Sequence, residues 1–278
     1  MCIRDSRQTD CGMSAMTNGL LCLHTLRNLP LKGRVHSVFE HALNIEVDHG
    51  GKCLLTVVQS GEWLPDSIQV DNISSFCSCK PGDTAILTDD SLQIGYFVFA
   101  LRKGVYEGQI KMGSSVDYLK KMLQNLPLTL HVPRDYEERV YVSIKKVCAA
   151  VKSDMPATAE RACYAILGLG SGLTPAADDA LVGAFAALWH DAPVKPFLSE
   201  GLLSRTTDVS GKYLRCAQLG FFSKRVLDLF HAENEADTEK AISEVLSWGA
   251  SSGMDMLWGL SCAMDAWKEH TSSLPVIR

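Results

Sequence analysis

The chain has 278 residues, of which 46% are apolar and 21% charged, which fits a globular protein of one large domain or two ordinary ones. Its net charge is −5 and no Lys/Arg run forms a stripe, which argues against a nucleic-acid partner. The longest apolar stretches, such as Ala180 to Trp189, are shorter than a bilayer span, so no membrane segment is expected.

In chain order, residues 1–30 are expected to add nothing to the fold. The opening MCIRDS resembles a translated transposase-adapter sequence, and no signal peptide follows it, so residues 1–15 are set aside as an artefact. From residue 31 to 113 the text reads as strands. RVHSVFEHALNIEV and KCLLTVVQ flank the turn-forming DHGG, and SIQV, KPGDTAILT and LQIGYFVFAL follow. Short β-branched and aromatic runs broken by Gly, Pro and Asp predict a barrel or sandwich of about six strands.

The period changes to 3.6 near residues 111–116, and residues 114–278 read as an all-helical domain. In DYEERVYVSIKKVCAAVKS the residues Val140, Ile144, Val147 and Val151 share one stripe. Further helices are predicted in TAERACYAILGL, DDALVGAFAALWH, TTDVSGKYLRCAQLGFFSKRVLDLFHA, TEKAISEVLSWGA and MDMLWGLSCAMDAW. Several are rich in Gly and Ala, which permits close helix approach. The fold class is therefore α+β, a β domain followed by a helical one.

Ten cysteines are present, but Cys148, Cys163, Cys216 and Cys262 sit singly inside apolar helical patterns and no C-x-x-C occurs. Such thiols behave as small hydrophobes. Neither zinc nor disulfides are expected, and a reducing cytoplasm is the expected compartment.

The stretch GLGSGLTPAADDALVGAFAALW, residues 168–189, carries the strongest chemical signal. It lacks the lysine of a G-x-x-x-x-G-K-S/T phosphate loop. A helix rather than a strand precedes it, which removes the dinucleotide fingerprint. Leu169 and Leu173 stand where a nucleophile elbow needs glycines around Ser171. A loop between two helices remains. Thr174 suits its N-cap and Pro175 the first helical position. Gly170, Ser171 and Gly172 let a ligand approach the backbone, and the N–H groups at the helix start offer an anion site.

Asp178 and Asp179 add a second chemistry. Adjacent helical residues diverge, so at least one carboxylate faces inward, with Gly183 one turn beyond Asp179 leaving space. An inward carboxylate needs a partner. At about 4 Å like charges repel by about 4 kcal/mol at an effective dielectric near 20, so phosphate alone does not serve. Either a divalent cation such as Mg²⁺ sits between the acids, or they hold a group with N–H donors, as a carbamoyl or ureido substrate has. Asp255 repeats the pattern, because D-x-L-x-G occurs at Asp179–Gly183 and Asp255–Gly259, each after a Ser-Gly pair that includes Ser252 and Gly253. With Ser252 as cap, Asp255 also occupies a capping-box position. Thr206, Ser210 and Tyr213 recur as a hydroxyl stripe suited to a substrate cavity, while Arg205, Lys212 and Arg215 lie off it, toward solvent. The histidines are scattered, and His190 and His231 read as surface or helix-end residues.

GLGSGLTPAADDALVG, TTDVSGKYLRCAQLGFF and GASSGMDMLWG, in this order and spacing, resemble the AllH-like family, with the likeness running from about residue 30 to 270. The family usually has Pro at the position of Ser171 and often Ser at that of Ala176. The resemblance implies a subunit of oxamate carbamoyltransferase in anaerobic allantoin (purine) catabolism. Such a complex exchanges a carbamoyl group between oxalurate and phosphate, giving oxamate and carbamoyl phosphate, with two other subunits. On that basis Asp178, Asp179 and Asp255 would orient carbamoyl N–H groups or a metal ion. Gly170, Ser171, Gly172, Thr174, Thr206, Ser210, Tyr213, Ser252 and Gly253 would bind substrate. The alternatives are a non-catalytic assembly subunit, whose glycine-rich helices pack on partner chains, and an enzyme acting on another ureido compound. A homo-oligomer is compatible with each.

Overall fold

The computed structural model describes residues 17–22, 29–48, 52–61, 63–71, 76, 78–103 and 108–271. The adapter-like residues 1–15 and positions 49–51 of the DHGG turn lie outside the described residues. Two compact units divide the chain. One falls within Met1–Glu62 and Ser67–Val105, the other within Trp63–Asp66 and Tyr106–Arg278.

The first unit is a closed β-barrel. Its strands are β1 (Thr17–Cys22), β2 (Leu31–Val38), β3 (Ala42–Asp48), β4 (Lys52–Gln59), β5 (Ser67–Val70), β6 (Thr84–Leu87), β7 (Ser91–Ile94) and β8 (Phe97–Lys103). They follow one another around the barrel as β1-β5-β4-β3-β2-β6-β7-β8. β1, which lies in the stretch 1–30 expected to add nothing to the fold, closes the ring by pairing antiparallel with β5 and parallel with β8. Eight strands replace the six or so expected, because two sequence runs each conceal a hairpin and β1 comes from the stretch expected to add nothing. RVHSVFEHALNIEV folds back around residues 39–41, where the Phe39 N–H donates to the Ala42 carbonyl at 2.8 Å. LQIGYFVFAL folds back at Gly95-Tyr96, leaving Ile94 opposite Phe97. Inside, Leu43, Leu55, Val57, Ile68, Leu92, Ile94 and Phe99 are excluded from solvent at every second strand position. Two polar groups in the barrel wall are paired in a chain: Thr56 donates to Asn44, which donates to Ser37.

The second unit is helical: α1 (Asp117–Asn125), α2 (Arg134–Lys152), α3 (Pro156–Tyr164), α4 (Ala176–Asp191), α5 (Glu200–Leu203), α6 (Asp208–Gln218), α7 (Lys224–His231), α8 (Glu235–Leu246) and α9 (Ser252–Thr271). The stripe foreseen for α2 is real, with Val140, Ile144 and Val147 fully buried and Val151 half-buried. The long helix expected from TTDVSGKYLRCAQLGFFSKRVLDLFHA is two. It breaks at Gly220, whose φ of +86° ends α6, and α7 starts again after Ser223. α4 is buried on nearly every side, as a central helix without an amphipathic pattern must be. Cys148, Cys163, Cys216 and Cys262 are free and buried. Among the described residues no helix is long and apolar enough to cross a membrane.

The helical core is organised by one crossing. A Cβ on Gly183 would lie 2.0 Å from the Met256 carbonyl oxygen, and one on Gly259 would lie 2.0 Å from that of Ala180. The two D-x-L-x-G segments thus face each other, each glycine seating the other helix's backbone. Space beyond Asp179, read from the sequence as room for a ligand, is filled by α9. The helices start side by side, for Thr174 Oγ1 before α4 lies 2.9 Å from Ser252 Oγ on α9.

Candidate functional site

The glycine-rich loop curls over the start of α4. At Gly170 (φ +119°) a Cβ would lie 2.4 Å from the Ala176 nitrogen, so a side chain there is excluded. This curl places the Leu169 carbonyl over the helix, where it accepts the Ala177 N–H at 2.9 Å. The cap residue is Pro175, one later than expected, and the Asp178 and Asp179 N–H groups both donate to its carbonyl. Thr174 makes no cap, because its hydroxyl faces Ser252. The N–H groups of Ala177, Asp178 and Asp179 are therefore occupied within the chain. Ser171 and Gly172 stay exposed on the loop.

Asp178 is wholly buried and fully engaged. Its Oδ1 accepts the Gly168 N–H at 2.8 Å, its Oδ2 accepts the Thr206 hydroxyl, and Ser210 also donates to it. Burial raises its pKa, and these three donors pull it back. The hydroxyls of Thr206 and Ser210 thus serve an aspartate rather than an open cavity. Thr206 lies before α6 instead of on it, since Thr207 is the N-cap and accepts the Ser210 N–H at 3.0 Å. Lys212, expected to face solvent, is buried, with its Nζ donating to the Asp66 carbonyl at 3.1 Å. Arg215 pairs with Glu200 and Arg205 lies over the Tyr164 ring, both at the surface.

Asp179 turns the other way. Ser252 and Thr174 donate to it, and its Oδ2 is buried without a partner. Burial pushes its pKa up to about 8 against those two hydroxyls, and the charges of Asp255 and Asp178 add to the rise. Tyr213 stands close enough for the Asp179 charge to raise its phenol further, on top of burial, and its ring meets Trp248 edge-on.

Asp255 is also wholly buried. Its Oδ1 accepts the His131 N–H at 2.7 Å and lies 2.9 Å from His131 Nδ1, while Oδ2 is buried and unpartnered. Gly253 has a packing reason to be glycine, because a Cβ there would lie 1.9 Å from the Val245 carbonyl oxygen.

The fold thus gathers Asp178, Asp179, Asp255, Thr174, Thr206, Ser210, Tyr213 and Ser252 around the starts of α4 and α9. His131 joins them from the segment before α2. Nothing in LHVPRDY marks it at the sequence level. Among the described residues no group of three or more His, Cys, Asp or Glu side chains is gathered so as to hold a metal ion. The arrangement can accept N–H donors at two buried carboxyl oxygens. It can also hold a proton on Asp179 at neutral pH.

A closed β-barrel, then a helical unit built on a helix crossing that shelters a carboxyl pair, is the class of protein these features define. Family models match both parts: one described as the AllH family N-terminal domain over residues 14–106, the other as oxamate carbamoyltransferase subunit AllH over residues 166–264. The chain belongs to the AllH family, which supports a carbamoyltransferase subunit as its broad role. No solved structure matches it.

Proposed function

We propose that the chain carries the carbamoyl-binding site of an oxamate carbamoyltransferase complex that acts in allantoin breakdown in the cytoplasm. The carrying observation is the pair of buried, unpartnered oxygens, Oδ2 of Asp179 and Oδ2 of Asp255, at the joined starts of α4 and α9. A buried acceptor without a donor costs roughly 1–3 kcal/mol. A carbamoyl group answers both: its NH₂ donates to Asp255 Oδ2, and its carbonyl oxygen accepts the proton that neutral Asp179 carries on Oδ2. Asp179, neutral at pH 7, adds no charge to repel an anionic substrate, and Asp255 supplies the acceptor for a proton. As the oxamate amide nitrogen bonds to the carbamoyl carbon, its proton passes to Asp255. The bond from that carbon to the phosphate oxygen breaks, and phosphate leaves with the electron pair. The exposed backbone at Ser171 and Gly172 faces the phosphate or the oxamate carboxylate. Holding both reactants supplies much of the rate, since carbamoyl phosphate is already activated.

The packing of Gly183 and Gly259 weighs against a purely assembling subunit, because these glycines seat helices of the same chain rather than a partner's. The test is carbamoyl transfer from carbamoyl phosphate to oxamate, by this chain alone and with two partner subunits. Activity in the full mixture that Asp179→Asn abolishes without unfolding is the expected result. Unchanged turnover in Asp179→Asn sinks the assignment.

A further inference from the structure

Resting on the carbamoyl-transfer reading of the acid pair, we propose that His131 is a positioning residue that aims the second oxygen of Asp255 at the reacting nitrogen. The His131 main-chain N–H donates to Asp255 Oδ1 at 2.7 Å, and Nδ1 of the same residue lies 2.9 Å from that oxygen. Two contacts from one residue on one oxygen fix the carboxylate plane against rotation about its last bond. Oδ2, buried and unpartnered, is then held in a single direction. A residue on the segment between α1 and α2 thus sets the geometry of an acid on α9.

The arrangement also sets the imidazole. To donate to Asp255 Oδ1, Nδ1 must carry a proton, so the contact selects the ring forms that have an Nδ1–H. The side chain of Asp255 is wholly buried while that of His131 is half exposed, so the ring screens the carboxylate and stays hydrated itself. No other residue contributes a hydrogen bond to Asp255 Oδ1 from a side chain among the described residues.

Two substitutions separate positioning from packing. Asparagine carries a donor nitrogen where Nδ1 sits, whereas alanine carries none. In the assembled complex, with carbamoyl phosphate and oxamate, His131→Ala lowers kcat by about 100-fold, the scale of a small misplacement of a reacting group. KM for carbamoyl phosphate changes less, and His131→Asn restores most of the rate. Full activity in His131→Ala while Asp255→Asn is inactive overturns the role of His131 and leaves the acid-pair reading standing. Full activity in Asp255→Asn overturns that reading and the positioning role with it. A second measurement needs no reaction. Long-range ¹H–¹⁵N spectra of the labelled chain, assigned by the signal missing from His131→Asn, show His131 protonated at Nδ1, a state lost in Asp255→Asn. Finding Nε2 protonated instead overturns the proposal whatever the substrate.

Discussion

Adjacent helical residues point about 100° apart, so Asp178 turns to Gly168, Thr206 and Ser210 while Asp179 turns to Ser252 and Thr174. Asp178 has donors for both oxygens and ties the glycine loop to the start of α6. Replacing it by alanine strands those donors and costs roughly 2–3 kcal/mol. Asp178→Asn keeps one acceptor and costs less, and urea unfolding of the two variants measures the difference. Equal stability in Asp178→Ala and the unsubstituted protein would refute the anchoring role. The acid pair was legible in the text as two carboxylates at a helix start. Their division of labour was not, because it depends on which way each side chain faces in the packed core.

The crossing of α4 and α9 is the element on which the site depends, since it holds Asp179 beside Asp255. Its two glycines leave no room for a methyl group, so Gly183→Ala and Gly259→Ala must each spread the helices. Overpacking of this kind costs typically 1–3 kcal/mol, and transfer activity should fall with it as the two carboxyls separate. Gly201→Ala on α5, where a Cβ would meet nothing within 4 Å, is the control and should leave the melting temperature nearly unchanged. A melting temperature for Gly183→Ala equal to that control's would show that the crossing is looser than described. The D-x-L-x-G echo was visible in the sequence, whereas the fact that its two copies face each other was not.

Across the whole molecule, two buried groups give stability a defined pH profile. Asp179 has its pKa raised from 3.8 to about 8, so between those values the folded chain binds a proton that the unfolded chain has lost. Its contribution is present below about pH 4, declines by at most about 1.4 kcal/mol per pH unit, and is gone above pH 8. Lys212 has its pKa lowered from 10.5 to about 8 by burial, so from pH 8 upward the folded chain binds fewer protons and stability recovers. Together they place a minimum near pH 8. Melting temperatures taken from pH 5 to 10 test this: Asp179→Asn should flatten the lower limb and Lys212→Met the upper. An unaltered profile in Asp179→Asn would show that this carboxyl is ionised in the folded chain.

The sequence by itself determined the order of a β unit and a helical unit, the stripe of α2, the buried thiols and the family. These follow from local period, turn residues and motif spacing, which neighbours in the chain impose on one another. Two hairpins hidden in continuous β-branched runs, the break at Gly220 and the burial of Lys212 required the folded chain. So did the occupied N–H groups of α4 and the grip of His131 on Asp255, 124 residues away. Each of these depends on contacts between segments far apart in sequence, where packing decides which polar groups find partners and which two carboxyl oxygens are left without one.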